Sequence, residues 1–236
     1  PRVLRRSTGA ANGQTFAPDG SILFCDQNGR RVSRMNPDGT GVRTVVETFE
    51  GQRLNSPNDL VARSDGLIYF TDPPYGAPPD RPLSFQGVYC MLPDVSDLRL
   101  LADDFEKPNG IAFAPDEKKI YICDTARDHI RCFKVNRSGE FAKGSGKVFA
   151  TVDPAEPGGP DGMKVDHDGR VYAAVAQGVW VFDADGSLRG ILATPKRPAN
   201  LAWYGPAADA LAITMVDEVL RVRLNVRGCR PVFQPR

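Results

Sequence analysis

Residues 108–124 read Pro-Asn-Gly-Ile-Ala-Phe-Ala-Pro-Asp-Glu-Lys-Lys-Ile-Tyr-Ile-Cys-Asp, and this pattern recurs along the chain. Similar segments begin at Ala11, Pro57, Pro160 and Pro198. Each of the five segments carries a polar residue at an equivalent place: Asn12, Asn58, Asn109, Asp161 and Asn200. Because self-similarity with a period of roughly 40 to 50 residues is typical of propellers and solenoids, the repeats predict such a fold.

Each repeat contains short apolar strands separated by tight-turn sequences. An apolar run leads into Pro-Asp-Gly, Ser-Asp-Gly or His-Asp-Gly, where Gly accepts a positive φ and Asp can cap the turn with its carboxylate. Further strands follow at short intervals, and a long amphipathic helix is nowhere evident. We therefore predict an all-β chain of β-propeller type. Residues 1–236 are expected to form a single domain, with repeats that begin near positions 12, 58, 109, 161 and 200.

The number of blades follows from the two ends of the chain. The run Leu220-Arg-Val-Arg-Leu224 completes the fifth repeat, whereas residues 1–10 are too few for a blade. They resemble the last strand of a blade that begins before Pro1. Since propellers avoid exposed edges by closing radially, we expect a larger propeller whose first blade is missing or incomplete here. Closure of the five visible blades on themselves is the alternative.

Composition argues against several classes of partner. The formal net charge of +1 is too small for a nucleic-acid or anionic-membrane footprint, and no apolar run approaches the ~20 residues that span a bilayer. We expect a soluble monomer or weak homo-oligomer that binds a small molecule, with no nucleic-acid or membrane partner. The expected compartment is the cytoplasm, or the periplasm if an N-terminal segment is missing. The five cysteines include no Cys-x-x-Cys pair and are expected to be reduced, and two histidines are too few for a His-rich metal site.

The polar residue of each repeat suggests a binding site. If this residue opens the innermost strand of each blade, radial symmetry points several such side chains at the central axis. Oxygen atoms of Asn58, Asn109 and Asp161, together with water, are hard ligands of the kind that Ca²⁺ accepts. Mg²⁺ or Mn²⁺ could substitute, whereas zinc and copper favour imidazole or thiolate ligands. Pro-Asn-Gly and Pro-Asp-Gly are also ordinary turn sequences, so a purely structural turn is the alternative interpretation.

Four motifs carry a family resemblance that runs over nearly the whole chain. They are Arg53-Leu-Asn-Ser-Pro-Asn-Asp-Leu-Val61, Tyr69-Phe-Thr-Asp-Pro-Pro-Tyr-Gly76, Lys107-Pro-Asn-Gly-Ile-Ala-Phe-Ala-Pro-Asp116 and Gly159-Pro-Asp-Gly-Met-Lys-Val-Asp166. Together they resemble the gluconolactonase family, which includes the senescence-marker proteins, or regucalcins. The first two motifs are typical of its bacterial-type sugar lactonases. The resemblance implies a six-bladed propeller, one divalent metal in the central channel (Ca²⁺ first, with Mn²⁺, Zn²⁺ or Mg²⁺ possible) and hydrolysis of a sugar-acid lactone.

The resemblance also implies roles for individual residues. Asn109 and Asp161 correspond to metal ligands, Asn58 to a metal or substrate ligand, and Asp161 also to the general base. Tyr75 and Arg53 lie in flanking loops and are candidates for contacts with sugar hydroxyls. The family's further ligand is a Glu near the start of its first blade, and no residue here matches it. With one carboxylate in the set, the metal affinity is expected to be lower.

The expected reaction follows from these roles. The metal would polarise the lactone carbonyl, Asp161 would assist the attack of water, and ring opening would give the aldonate. Fold and metal alone do not fix the chemistry, so two alternatives stay open. One is a related esterase or phosphotriesterase, and the other is a calcium- or ligand-binding propeller without catalysis.

Overall fold

A computed structural model describes residues 3–6, 8–92, 94, 96–153 and 157–230. Its regular structure is β throughout, apart from one turn of 3₁₀ helix, η1 (Thr125–Arg127). Contacts divide the chain into two compact units, and the division falls between Pro108 and Asn109. The prediction of an all-β chain is confirmed, whereas the prediction of one domain stays a prediction.

The first unit contains two four-stranded sheets and a small hairpin. The first sheet is β1 (Ala11–Phe16), β2 (Ile22–Asp26), β3 (Arg31–Met35) and β4 (Arg43–Val46). The hairpin is β5 (Thr48–Phe49) and β6 (Gln52–Arg53). The second sheet is β7 (Leu60–Ala62), β8 (Ile68–Asp72), β9 (Gln86–Met91) and β10 (Arg99–Phe105).

The second unit contains three sheets. The first is β11 (Pro108–Phe113), β12 (Lys119–Asp124), β13 (His129–Lys134) and β14 (Lys147–Thr151). The next is β15 (Met163–Val165), β16 (Val171–Val175), β17 (Gly178–Phe182) and β18 (Leu188–Ala193). The last is β19 (Pro198–Tyr204), β20 (Ala210–Met215) and β21 (Val219–Arg223).

All five sheets are antiparallel meanders, because each strand pairs with its neighbour in sequence. This is the topology of propeller blades, and the five meanders coincide with the five predicted repeats. The count of six blades, with an incomplete first one, stays a prediction. No helix among the described residues is long and apolar enough to cross a membrane.

The Asp-Gly sequences form the predicted turns between the first and second strands of the blades. Gly20, Gly66 and Gly169 have φ angles of +80°, +95° and +83°. The Asp65 carboxylate accepts the N–H of Leu67 at 3.3 Å, as expected of a residue that caps its own turn. Glu117 takes the left-handed place in the third repeat with a φ of +54°. The turn chemistry inferred from the sequence is therefore confirmed.

The Asn-Gly and Asp-Gly pairs that carry the candidate ligands have a different role from those turns. Asn109 and Gly110 lie inside β11, so the turn interpretation is wrong there. The Gly110 N–H donates to the carbonyl of Asp161 at 3.1 Å, which joins β11 to the segment before β15 of the next blade. A Cβ atom at Gly110 would lie 2.3 Å from that oxygen. Glycine is needed there for the close approach of two backbones.

The cores lie between adjacent sheets within each unit. Middle strands such as β8 and β16 are buried along their whole length, so they read as continuous apolar runs rather than alternating ones. In the first unit a shared core joins the two blades and includes Leu23, Val32, Leu60, Phe70 and Tyr89. In the second unit one core includes Cys123, Ile130, Met163, Val171 and Phe182, and another includes Tyr172, Leu201, Trp203 and Ile213.

The expectation for residues 1–10 is wrong where the structure describes them. Residues 3–6 and 8–10 form no strand. Gly9 and Ala10 have φ angles of +64° and +56°, and this left-handed backbone is incompatible with a strand. The Gly9 carbonyl accepts the Asn28 N–H at 3.1 Å, so the segment is held against the turn after β2. Pro1, Arg2 and Ser7 lie outside the described residues.

Candidate functional site

Asn109 lies on β11, and its side chain is held by a residue from the end of the next strand. The side chain is buried, with 4% of the residue exposed. Its Nδ2 atom donates to Thr125 Oγ1 at 2.9 Å. Thr125 follows β12 directly and begins η1. This hydrogen bond assigns the two ends of the amide, because the nitrogen faces Thr125 and the carbonyl oxygen is the other end.

The same hydroxyl reaches the backbone beside Asp161. Thr125 Oγ1 donates to the carbonyl of Pro160 at 2.7 Å. The Asp161 N–H donates to the carbonyl of Ala174 at 2.8 Å, and the Asp161 carbonyl accepts from Gly110. The Asp161 residue is half-buried. The structure therefore connects two of the predicted ligands, Asn109 and Asp161, through Thr125 and through the Gly110 bridge.

Glycines let the loop before Asp161 pack closely against Thr125. A Cβ atom at Gly159 would lie 2.2 Å from the carbonyl oxygen of Thr125 and 2.6 Å from an Asp128 carboxylate oxygen. A Cβ atom at Gly162 would lie 2.2 Å from Cγ of Asn200. Only residues without a side chain fit at these two positions. The sequence Gly-Gly-Pro-Asp-Gly is thus explained by close packing on both sides of Asp161.

Asn58 lies in the first unit, two residues before the start of β7. Its N–H donates to the Thr71 carbonyl at 2.9 Å, and its carbonyl accepts the Gly13 N–H at 2.8 Å. The residue is 4% exposed. Within the described part of the chain, its side-chain amide has no hydrogen-bond partner. An amide can serve a metal ion or a sugar hydroxyl, because it carries an acceptor oxygen and two donor hydrogens.

Asp72 supports the loop that carries Asn58, and it was not among the predicted site residues. It is fully buried at the end of β8, and its two carboxylate oxygens accept the N–H groups of Asn55 at 2.8 Å and Ser56 at 2.7 Å. Burial raises the pKa of Asp72 to about 7, against the lowering effect of those two N–H groups and of Arg30 and Arg81. One signal was available, since an Asp ends the second strand in three repeats.

Arg53 and Tyr75, the candidates for substrate contact, have partners at the surface of the first unit. Arg53 donates to Glu47 at 3.0 Å and to the carbonyl of Gly29 at 2.6 Å. Tyr75 is 44% exposed, and the Lys107 ammonium lies 5.7 Å from its ring centroid. Arg53 is therefore engaged with protein groups, whereas the Tyr75 ring is partly accessible. Their roles towards a substrate stay predictions.

The kinds of donor atom at Asn109 and Asp161 determine which metal ions would fit there. Among the described residues, no three His, Cys, Asp or Glu side chains are grouped as metal ligands. All five cysteines are free thiols, as predicted. Burial raises the pKa of Cys25 and that of Cys132. Burial lowers the pKa of His129. An amide oxygen and a carboxylate form a hard donor set, which suits Ca²⁺ or Mg²⁺ better than zinc.

The family assignment rests on a match over most of the chain. The sequence profile of the SMP-30/Gluconolactonase/LRE-like region matches residues 4–217. The chain belongs to this family. A gluconolactonase of Zymomonas mobilis is 31% identical over 231 residues, which are 92% of this chain and 64% of that protein. A pentonolactonase of Haloferax volcanii is 31% identical over 245 residues, covering 90% of this chain and 84% of that protein.

Solved structures agree with the family assignment. The structure of a gluconolactonase from Xanthomonas campestris superimposes with a TM-score of 0.86 at 34% identity, covering 94% of this chain and 75% of that one. The chain spans less than two thirds of the Zymomonas relative's length. The recognition made from the four motifs is confirmed by these matches.

Proposed function

We propose that this chain hydrolyses a lactone, opening a sugar-acid lactone such as gluconolactone to its aldonate. The observation that carries the proposal is the connected pair Asn109 and Asp161, which Thr125 and Gly110 link on neighbouring blades. The similarity to a gluconolactonase and a pentonolactonase at 31% identity supports lactones as the substrate class. A sugar lactone remains the proposed partner.

We propose that one divalent metal, Ca²⁺ first, is held through the Asn109 carbonyl oxygen and the Asp161 carboxylate. The donor chemistry fits, because both are hard oxygen ligands and the hydrogen bond to Thr125 takes up the nitrogen end of the amide. Such an ion would act as a Lewis acid towards the lactone carbonyl when bound. One carboxylate supplies little charge, so we expect modest affinity. A role for Asn58 as a metal or substrate ligand stays a prediction.

The chain's own residues are proposed to orient the substrate and to move a proton. Asp161 would accept a proton from the attacking water as the new C–O bond forms at the carbonyl carbon. The ring C–O bond then breaks, and Asp161 returns the proton to the departing ring oxygen, giving a hydroxy acid that ionises to the aldonate. Tyr75 is proposed to contact sugar hydroxyls, since its ring is partly accessible. Arg53 is held by Glu47 and Gly29 and would contact sugar hydroxyls through its remaining N–H groups.

The first test is the rate of glucono-δ-lactone opening, measured as proton release. Chelated protein is compared with protein given Ca²⁺, Mn²⁺, Zn²⁺ or Mg²⁺, for the wild type and Asp161→Ala. Asp185→Ala is the matched control, because Asp185 is an exposed turn residue of the same unit that caps Ser187. We expect metal-dependent turnover that falls by at least about 100-fold in Asp161→Ala, the usual scale of general-base catalysis, and is unchanged in Asp185→Ala.

Each other outcome points to a different function. Turnover of simple esters or phosphotriesters but not of lactones would favour the related hydrolase. Calorimetric binding of Ca²⁺ without turnover of any of these substrates would favour a binding propeller. Equal turnover in Asp161→Ala and the wild type would remove Asp161 from the mechanism.

A further inference from the structure

Thr125 forms hydrogen bonds to both segments that carry the predicted ligands of the second unit. Its Oγ1 atom lies 2.9 Å from Asn109 Nδ2 and 2.7 Å from the carbonyl oxygen of Pro160. Pro160 immediately precedes Asp161 in the chain. One hydroxyl group therefore contacts the side chain of one ligand and the backbone beside the other.

The chemistry of the three groups determines which end of the Asn109 amide faces Thr125. A carbonyl such as that of Pro160 can only accept, so Thr125 must use its one hydroxyl hydrogen there. The Thr125 oxygen then has only lone pairs left and must accept. The Asn109 amide has to present its NH₂ group, because its carbonyl oxygen would meet those lone pairs without a hydrogen between them. The carbonyl oxygen is thereby kept at the opposite end of the amide.

Thr125 is itself held in place, which it must be in order to orient another group. It begins η1 directly after the buried strand β12. Gly159 packs against its carbonyl oxygen so closely that a Cβ atom there would lie 2.2 Å away. Polar groups that orient metal ligands through a second hydrogen bond commonly affect affinity by about 10- to 100-fold.

We propose that Thr125 is a positioning residue that orients the Asn109 amide, so that its carbonyl oxygen is presented as a ligand beside Asp161. This inference rests on the proposed function, because it assigns a ligand role to Asn109 and Asp161. Thr125 touches neither substrate nor metal in this proposal and acts through Asn109 and Pro160. Its hydroxyl, rather than its methyl group, is the part that matters.

The test compares Thr125→Val, which removes the hydroxyl at nearly constant shape, with Thr125→Ser, which keeps it. Thr214→Val is the matched control, since the Thr214 hydroxyl bonds the backbone N–H and carbonyl of Asn200 in the last blade. Ca²⁺ affinity is measured by calorimetry, and kcat and KM are measured with glucono-δ-lactone. The side-chain NH₂ signals of Asn109 are followed by NMR and are assigned by their loss in Asn109→Ala. Thermal unfolding of each variant is followed in parallel.

We expect Thr125→Val to weaken Ca²⁺ binding and lower kcat by about 10-fold or more, and to shift the Asn109 NH₂ signals. The Ca²⁺ affinity and kcat of Thr125→Ser should stay within about threefold of the wild-type values, and those of Thr214→Val should equal the wild-type values. A purely structural role of Thr125 would give no such rescue of the affinity by serine. Wild-type affinity together with unshifted NH₂ signals in Thr125→Val would overturn the proposal.

A second variant tests the proposal even if Thr125→Val does not fold. Asn109→Asp adds a negative charge, which ordinarily tightens Ca²⁺ binding. Here the carboxylate would face the Thr125 lone pairs or draw the hydroxyl hydrogen away from Pro160, so we expect weaker binding, whereas tighter binding would overturn the proposal. If the wild type neither binds Ca²⁺ nor turns over lactone, the proposed function fails. The NMR comparison then still decides whether Thr125 orients Asn109, because shifted signals support that role and unshifted signals exclude it.

Discussion

Asn58 in the first unit and Asn109 in the second occupy the same place in the repeat but are supported in different ways. Next to Asn58, the Asp72 carboxylate binds the backbone N–H groups of Asn55 and Ser56. At Asn109, the Thr125 hydroxyl binds the side chain itself. The repeat therefore specifies where the backbone lies, and separate residues specify the environment of each amide.

The two kinds of support differ in their dependence on protonation. Burying a carboxylate is costly unless hydrogen bonds compensate, and burial raises the pKa of Asp72 to about 7. A threonine hydroxyl stays neutral at all ordinary pH values. We infer that the stability of the loop before β7 depends on pH through Asp72. The orientation of the Asn109 side chain depends on the Thr125 hydroxyl and not on pH.

The glycines of the Asn-Gly pairs should be equally sensitive in both units, and they carry the largest expected effect. In Gly110→Ala the new Cβ would lie 2.3 Å from the Asp161 carbonyl oxygen, and in Gly13→Ala 2.5 Å from the Asp59 Cα atom. Because backbone atoms cannot move aside cheaply, we expect each substitution to lower the free energy of unfolding by about 3 kcal/mol or more, measured by urea unfolding.

Gly190→Ala is the control for those two variants. Gly190 lies in β18, and a Cβ atom there would meet nothing within 4 Å. We expect a change within about 0.5 kcal/mol, as for other surface substitutions. If Gly110→Ala or Gly13→Ala were equally mild, the close approach of the first strands would not explain these glycines.

Removing the Asp72 carboxylate should have the next largest effect. Asp72→Ala leaves the N–H groups of Asn55 and Ser56 buried without their acceptor. Since each orphaned buried group costs roughly 1–3 kcal/mol, we expect a loss of about 2 kcal/mol or more in urea unfolding. Asp185→Ala should cost less than about 1 kcal/mol, because water can replace the carboxylate at that exposed turn. Equal losses in the two variants would contradict the anchoring role of Asp72.

Much of the fold could be predicted from the sequence, because its determinants are local. The Asp-Gly turns and the period of the repeats fixed five meanders, and the structure has five. The segment before Ala11 could not be predicted, since Gly9 and Ala10 adopt positive φ angles that its short apolar run does not indicate. Ala10 in particular gives no local signal for a left-handed backbone.

The candidate site could be predicted only in part. The residues Asn58, Asn109 and Asp161 were visible as repeated polar positions, and Asn109 and Asp161 are linked as expected of neighbouring blades. The residue that supports them, Thr125, could not be predicted, because it lies 16 residues from Asn109 and 35 residues from Pro160 in the chain. Contacts over such separations depend on how blades pack, which no local pattern encodes.

The pH dependence of stability should distinguish the support at Asn58 from that at Asn109. The pKa of Asp72 is about 7 in the folded state and about 3.9 when unfolded, so the folded state binds more protons between these values. Its contribution to stability is thus fully present below about pH 4 and is lost as the pH rises through about 7. Asp72→Asn should remove this trend, a difference in slope of up to about 1.4 kcal/mol per pH unit.

The measurement is urea unfolding of the wild type and Asp72→Asn at several pH values between about 4.5 and 7.5. Other carboxyl groups contribute to both curves, so the difference between the curves isolates Asp72. Thr125→Val, whose lost group does not titrate, should give a curve parallel to the wild type. Parallel curves for wild type and Asp72→Asn would show that Asp72 does not titrate in this range.

The smallest effect is expected where support comes from exposed ion pairs. Arg53 and Glu47 pair at 3.0 Å with side chains that are 44% and 42% exposed, and Arg53 also donates to Gly29. Exposed pairs contribute about 0–1 kcal/mol, so Glu47→Gln should lower the free energy of urea unfolding by less than about 0.5 kcal/mol. Glu218→Gln, which removes one partner of Lys196 in the second unit, should lower the free energy of unfolding by a similarly small amount.

A loss above about 1 kcal/mol for Glu47→Gln alone would mean that the β5–β6 hairpin helps Asp72 hold the loop before Asn58. The two units would then differ in how many groups hold the candidate amide as well as in the chemistry of those groups. The first unit would hold the Asn58 loop with a hairpin and a carboxylate, whereas the second unit would hold Asn109 with one hydroxyl group.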